Sequence, residues 1–247
     1  MNKLNTYSNL IWSALFFVFL TSFIISDQES VNGDKHRTKW EWLFDGKSTN
    51  AWVSADGQPF LGNGWEIQNK QLIVWGNTPE HHAGHDIITK QQYDNFELEL
   101  EVKLTEGANS GIKYFVANTF ANYEGQYLGL EYQLIDDERH PDAKLGVNGN
   151  RTIASLYDLI PASKNKKIYP PGKWNKVRIL VDGDHVEHWI NGGKVLEYDR
   201  KSDHFKKIVA LSKYKNMENF GEIDKGHILL QGHNDEVAFK SIRIRTW

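Results

Sequence analysis

The sequence predicts an all-β fold, a two-sheet antiparallel jelly-roll sandwich of about ten or more strands. Three observations carry that reading. From Trp40 onward, short apolar or alternating runs are separated by Gly, Asn and Asp turn signals, so strand follows strand locally. Two hairpins are legible in VRILVDGDHVEHWI and HWINGGKVLEY, where Asp182-Gly183 and Asn191-Gly192 supply the positive φ values of tight turns. No segment shows the 3.6-residue apolar period of a long amphipathic helix. A fixed-period repeat is also missing, which removes propellers and solenoids.

In chain order, the short apolar runs WEI and QLIVW predict strands at 65–67 and 71–75. FELELEVKL at 96–104 alternates perfectly, and GIKYFV at 111–116 follows the turn-forming Asn109-Ser110. The stretch 128–135 alternates as well, and the two hairpins give strands at 177–182, 185–190 and 194–198. HILLQ at 227–231 and the alternating run 237–247 complete the set. Short helical turns are expected only at 202–205 and 212–219.

The chain has 247 residues, with 40% hydrophobic and 25% charged residues, enough for an ordinary globular core. Its net charge of −3, with Lys and Arg scattered, argues against a nucleic-acid partner. The first segment differs in kind. After Lys3 comes the apolar run LIWSALFFVFLTSFII, then polar SDQESVNGDKHRTK. That outline is a signal peptide or an uncleaved N-terminal anchor over 1–26, followed by a linker over 27–39 and one domain over 40–247. The expectation is an exported protein, periplasmic or surface-associated in a bacterium, touching membrane only through that first segment if it stays uncleaved. There are no cysteines, so disulfides, thiolate metal sites and cysteine nucleophiles are excluded.

Several motifs invite chemistry. FELELEVKL puts Glu97, Glu99 and Glu101 on one strand face, but a strand with one face in the core and one in water looks the same. Its spacing also differs from the E-x-D-x-x-E strand of retaining sandwich glycosidases. In LEYQLID, Glu131 and Gln133 share a face with Gly129, a residue without a side chain, so a ligand has room to approach there. If this strand pairs with 111–116, Lys113 lies across from Glu131. The following loop, DDERHPDAKLGVNGNRTIASLYDLIP, carries Asp136, Asp137, His140, Asp142 and Arg151, and is long enough to be functional. Ser110 sits where the backbone of Asn109-Ser110-Gly111 passes close to a ligand. His85 and Asp86 in HHAGHD are a possible, undiagnostic divalent-metal pair. Trp189 shares its strand face with His185 and Glu187; Val186, His188 and Ile190 take the other, and alternation does not say which face is buried.

Seven motifs in order, LFDGKSTNAW, DIITKQQYDNFELELEVKL, GANSGIKYF, LEYQLID, GKWNKVRI, HWINGGKV and ILLQGHNDEVAFKSIRIR, make the chain resemble the 3-keto-disaccharide hydrolase family from Trp40 to its C-terminus. The resemblance implies a concanavalin A-like sandwich, of the lectin and glucanase type, in an exported bacterial protein, and a sugar substrate oxidised at carbon 3. It implies proton abstraction from C2 and β-elimination of the C1 substituent, with or without rehydration; no nucleotide cofactor is expected. By resemblance, Glu131, Gln133, His233 and Lys113 surround the groove. Glu131 or His140 is expected as base, with Asp142 a further candidate, Lys113 and Arg151 as electrostatic partners, and His233 as acid or ligand. Gln133, Asp136, Asp142, Arg151, Ser110 and Trp189 are expected to contact the sugar. Lys113 stands where relatives often carry arginine, so a bidentate grip at that point is not assured.

Two other readings fit the same sandwich. One is a lectin-like carbohydrate-binding domain without turnover; the other is a structural or adhesive surface domain. Release of aglycone from a 3-keto-glucoside, but not from the unoxidised glucoside, separates the enzyme from both.

Overall fold

The computed structural model describes residues 37–117 and 127–247. The expected signal segment and most of the linker lie outside the described residues. No described helix is long and apolar enough to cross a membrane.

Two antiparallel sheets enclose one core. The larger contains β1 (Glu41–Phe44), β3 (Trp65–Gln68), β4 (Gln71–Val74), β6 (Phe96–Leu104), β9 (Asn175–Asp182), β10 (His185–Ile190), β11 (Gly193–Asp199) and β13 (Val237–Thr246). Its order is β11-β10-β9-β6-β13-β4-β3, with β1 paired to β13. The smaller contains β2 (Trp52–Ser54), β5 (Ile87–Thr89), β7 (Asn109–Val116), β8 (Leu130–Ile135) and β12 (His227–Leu230), in the order β2-β5-β12-β7-β8. All ten expected strands form. The additional strands β1, β2 and β5 are only three or four residues long, too short for alternation to register.

A nine-residue helix, α1 (Asp203–Leu211), replaces the expected single turn at 202–205; the hydroxyl of Ser202 caps it by accepting the Phe205 N–H at 3.1 Å. The segment 212–219 is a chain of turns rather than a helix.

Alternation sends Leu98, Leu100 and Val102 of β6 inward against Ile112, Tyr114, Leu130 and Tyr132 of the smaller sheet. On β10 the inward set is Val186, His188 and Ile190. His188 is wholly buried; its Nδ1 lies 2.9 Å from the Ala154 carbonyl, so that nitrogen carries the hydrogen and Nε2 accepts from the Tyr114 hydroxyl at 2.8 Å. Tyr198 then donates to Tyr114 at 2.6 Å.

The outward carboxylates of β6 are not simply solvated, as expected, but ion-paired. Glu97, 3% exposed, is held by Arg37, Arg178 and Arg245; Glu99 pairs with Arg243 and Glu101 with Lys240. Arg243 and Arg245 lie over Trp40, so cations and tryptophans interleave across this face. Its three acids are structural.

Candidate active site

The register of the smaller sheet places Lys113 directly opposite Glu131 and Gly111 opposite Gln133. These residues point away from the inter-sheet core, because their neighbours Ile112, Tyr114, Leu130 and Tyr132 point into it. Lys113, Glu131 and Gln133 floor a cavity of about 310 Å³, near the lower end of the range for small-molecule sites.

Each wall comes from a different part of the chain. Asp86 precedes β5 and accepts the Gly232 N–H at 3.0 Å, and Gln231 donates its N–H to the Gly111 carbonyl at 3.0 Å. His233 follows them at the exposed rim. The long loop after β8 folds back along that strand's edge. Ala154 and Tyr157 donate to the carbonyls of Gln133 and Glu131 at 2.8 and 3.0 Å, while Gln133 donates to Ser155 at 3.1 Å. An edge strand is thereby covered, and Tyr157 is delivered over the cavity. The turns after α1 add Lys213, Tyr214 and Met217.

Glu131 is 8% exposed, and no donor among the described residues reaches its carboxylate within hydrogen-bonding distance. Burial raises its pKa, opposed by the positive charges of Lys113 and Lys213. Gly111 makes room for it: a Cβ there would overlap the Glu131 carboxylate. Gly129, expected to leave space for a ligand, is required instead by the neighbouring strand, since a Cβ would come 2.8 Å from the Tyr114 carbonyl. Lys113, 9% exposed, donates to the Tyr127 carbonyl at 3.2 Å. Asp86 is likewise raised by burial, and Lys113 is the largest charge lowering it. The floor thus alternates acid, cation, acid.

Of the residues predicted from sequence, Glu131, Lys113, Gln133, His233 and Asp86 line this cavity. The others do not. His140 caps the 3-10 turn Pro141–Lys144, its Nδ1 accepting the Asp142 N–H at 3.1 Å. Asp136 binds the N–H groups of Gly107, Glu138 and Arg139 and faces a separate apolar hollow. Ser110 has the core-facing parity and donates to the Gln231 carbonyl at 2.8 Å. Trp189 is on the outer face of the larger sheet, bonded to Glu187 at 2.8 Å and covered by Arg178. Asp142 and Arg151 stand behind the wall. Arg151 bonds Asp142 at 2.6 Å and Asp158 at 2.7 Å, and Asp142 accepts the Tyr157 hydroxyl at 2.9 Å.

Sequence reading missed Tyr157, Lys213 and Tyr214. Tyr157 and Asp158 were visible at the apolar end of the charged loop; nothing local marks Lys213, one lysine among many. His85 does not line the cavity, and its carbonyl accepts the Trp65 indole N–H at 2.7 Å. His81 stacks on Trp75 with ring centroids 3.9 Å apart. Among the described residues, three metal-type ligands converge only at His185, Glu187 and Glu197, on the far sheet, where Lys194 already bonds both glutamates at 2.9 and 2.6 Å.

The model of the 3-keto-alpha-glucoside-1,2-lyase-like domain matches residues 39–245. The chain belongs to that family. A 3-keto-disaccharide hydrolase of Bacteroides thetaiotaomicron is 36% identical over 225 residues, covering 82% of this chain and 77% of the relative. A crystal structure from Parabacteroides distasonis, described as a candidate glycosyl hydrolase, superposes with a TM-score of 0.73 at 28% identity, covering 84% of this chain and 94% of that one. A galectin-like protein of unknown function from Bacillus subtilis, at 13% identity and a TM-score of 0.50 over 85% and 96% of the two chains, shares the fold alone. Membership in the 3-keto-alpha-glucoside-1,2-lyase-like family, together with a polar cavity on a jelly-roll sandwich, supports a carbohydrate-active enzyme.

Proposed function

We propose that the protein cleaves 3-keto-glycosides by elimination, with Glu131 as the base. The observation that carries this reading is a buried carboxylate of raised pKa sharing one cavity with two lysines. A ketone at C3 acidifies the C2 proton. Glu131 takes that proton, the C–H pair moves toward the C3 oxygen as an enolate, and Lys113, opposite Glu131, offsets the charge. Collapse of the enolate forms the C1–C2 double bond and breaks C1–O, its pair leaving on the aglycone oxygen. Water adding at C1, with a proton returned to C2, makes the net reaction a hydrolysis. Such a route needs one base beside cations, as this cavity offers, rather than the two spaced carboxylates of an oxocarbenium mechanism. Gln133, His233 and Asp86 supply polar contacts to the remaining hydroxyls.

The decisive experiment compares aglycone release from a 3-keto-glucoside and from its unoxidised parent. Turnover of the first only, with loss of C2 deuterium to solvent, is expected; equal cleavage of both would sink the reading. Glu131→Gln should lower kcat by about 10²–10⁴. Saturable sugar binding that survives this substitution, without turnover by either protein, would instead identify a lectin-like domain. The products, seen by NMR, separate lyase from hydrolase. We further propose that the apolar run before residue 26 exports the enzyme, which cell fractionation tests directly.

A further inference from the structure

We propose that Lys213 is the proton donor to the departing aglycone oxygen, held at the cavity rim by a clamp of Asp142, Arg151 and Asp158. The inference rests on the elimination reading and adds the group that such a reaction still lacks. When C1–O breaks, its electron pair stays on the aglycone oxygen, and an alkoxide leaves slowly unless protonated as the bond opens. The donor must therefore face the side from which the aglycone departs. The cavity floor is buried at Glu131, Lys113 and Gln133, whereas Lys213 is exposed at the rim. For this role, a sugar with C2 at Glu131 must direct its C1 substituent outward, toward Lys213.

The side chain is set in place on two sides. Its ammonium lies 4.2 Å from the Tyr157 ring centroid and 5.1 Å from that of Tyr214. Tyr214 is stacked on Phe220 at 4.0 Å, and the Tyr157 hydroxyl is tied to Asp142. Arg151 joins Asp142 to Asp158, and the other oxygen of Asp158 accepts the Lys213 backbone N–H at 3.4 Å. One guanidinium thus fixes both an aromatic platform and the loop that carries the lysine. Asp158 adopts a left-handed φ of 61°, which turns the chain where it meets that loop.

Other donors in the cavity are less suited. Lys113 lies on the floor, engaged with the Tyr127 carbonyl between Glu131 and Asp86. Tyr157 already gives its hydrogen to Asp142, and burial holds the Tyr214 hydroxyl well above its ordinary pKa. His233 also reaches the rim, but among the described residues no hydrogen bond, ion pair or ring contact fixes its side chain. For Lys213 itself, partial loss of hydration at the rim and then the like charges of Arg151 and Lys113 lower the pKa, against the attraction of Glu131 and Asp158. Its ammonium is consequently a stronger acid than an ordinary lysine. After each turnover it regains a proton from solvent.

The test uses two 3-keto-glucosides, one with a sugar aglycone and one with 4-nitrophenol, whose anion leaves without a proton. Lys213→Met should lower kcat on the sugar aglycone by about 10²–10³, and the loss on the nitrophenyl substrate should be at least about tenfold smaller. Lys213→Arg keeps the charge and the ring contacts but gives up no proton, so it should show the same substrate dependence. Equal losses on both substrates, or recovery of wild-type behaviour by the arginine variant, would overturn the assignment. Glu131→Gln serves as the separate arm, expected to slow both substrates alike. Full activity in that variant would mean that the elimination reading, not the role of Lys213, had failed. Melting temperatures of all variants confirm that each is folded.

Discussion

Gly111 lies beneath the carboxylate of Glu131, on the neighbouring strand, where any side chain would overlap it. The group in the way is the mobile end of a glutamate, not backbone, and Gly111 does not occupy the left-handed region. Gly111→Ala should therefore fold, with a melting temperature within about 4 °C of the wild type, the equivalent of about 1 kcal/mol at this size. Its kcat should fall by at least about tenfold, because a base displaced by an ångström loses its line to the substrate proton. A variant with full activity would show that the Glu131 position is not critical.

The pH dependence follows from the burial of Glu131. A base must be ionised, so activity should rise with pH through a midpoint above the ordinary glutamate value of about 4.3. Stability runs the other way. Because the folded-state pKa exceeds the unfolded one, the favourable contribution of this group is complete below the unfolded value and is lost as pH rises through the folded value. Glu131→Gln should accordingly turn over far more slowly yet melt higher than the wild type at neutral pH. Paired kcat and melting profiles from pH 4 to 8 would check both signs.

His188 makes the opposite prediction at acid pH. Burial depresses its pKa to about 4, against about 6.5 in an unfolded chain. Above about pH 6.5 it is neutral in both states and has no effect. As pH falls, the unfolded chain takes up the proton first, so stability declines between about 6.5 and 4, by about 3 kcal/mol in all. The imidazole signals of ¹⁵N-labelled protein should include one histidine still neutral at pH 5. If every histidine titrates near 6.5, the buried network with Tyr114 and Ala154 does not form.

Glu97 tests the far sheet. Glu97→Gln strips the carboxylate from three arginines at a side chain only 4% exposed and should cost about 3 kcal/mol of stability, since it leaves cations without their counter-charge. Its kcat at a temperature where the protein is folded should equal that of the wild type. Thermal melts and initial rates on one preparation decide it, and a lost kcat would mean that the outer carboxylates act in turnover as well as in folding.

Much of the fold is local information. Alternation in FELELEVKL and LEYQLID, and glycines at the Asp182-Gly183 and Asn191-Gly192 turns, specify strand, face and hairpin within a few residues. The same period of two sets Lys113 across from Glu131 once β7 and β8 pair, so the cavity floor is legible in the sequence. What alternation could not supply was the choice of face on β10, where His188 goes inward and Trp189 outward. Both faces carry a histidine and a large apolar residue, and only the packing of β10 against Ala154 and Tyr114 separates them.

The rest of the site was a tertiary decision. His140, Asp136 and Ser110 are polar residues near the right strand, but each is used by backbone donors or acceptors of its own loop or neighbouring strand. Lys213 and Tyr214 reach the cavity from turns distant in sequence, and no local pattern marks a side chain whose partners lie across such a gap. The sequence by itself determined the sandwich, its turns and the acid–cation pair on the floor, because these depend on periodicity and register. Tertiary structure alone decided which loop covers the β8 edge, and hence that Arg151 braces the wall while Lys213 faces the opening, because long-range contacts fix those positions.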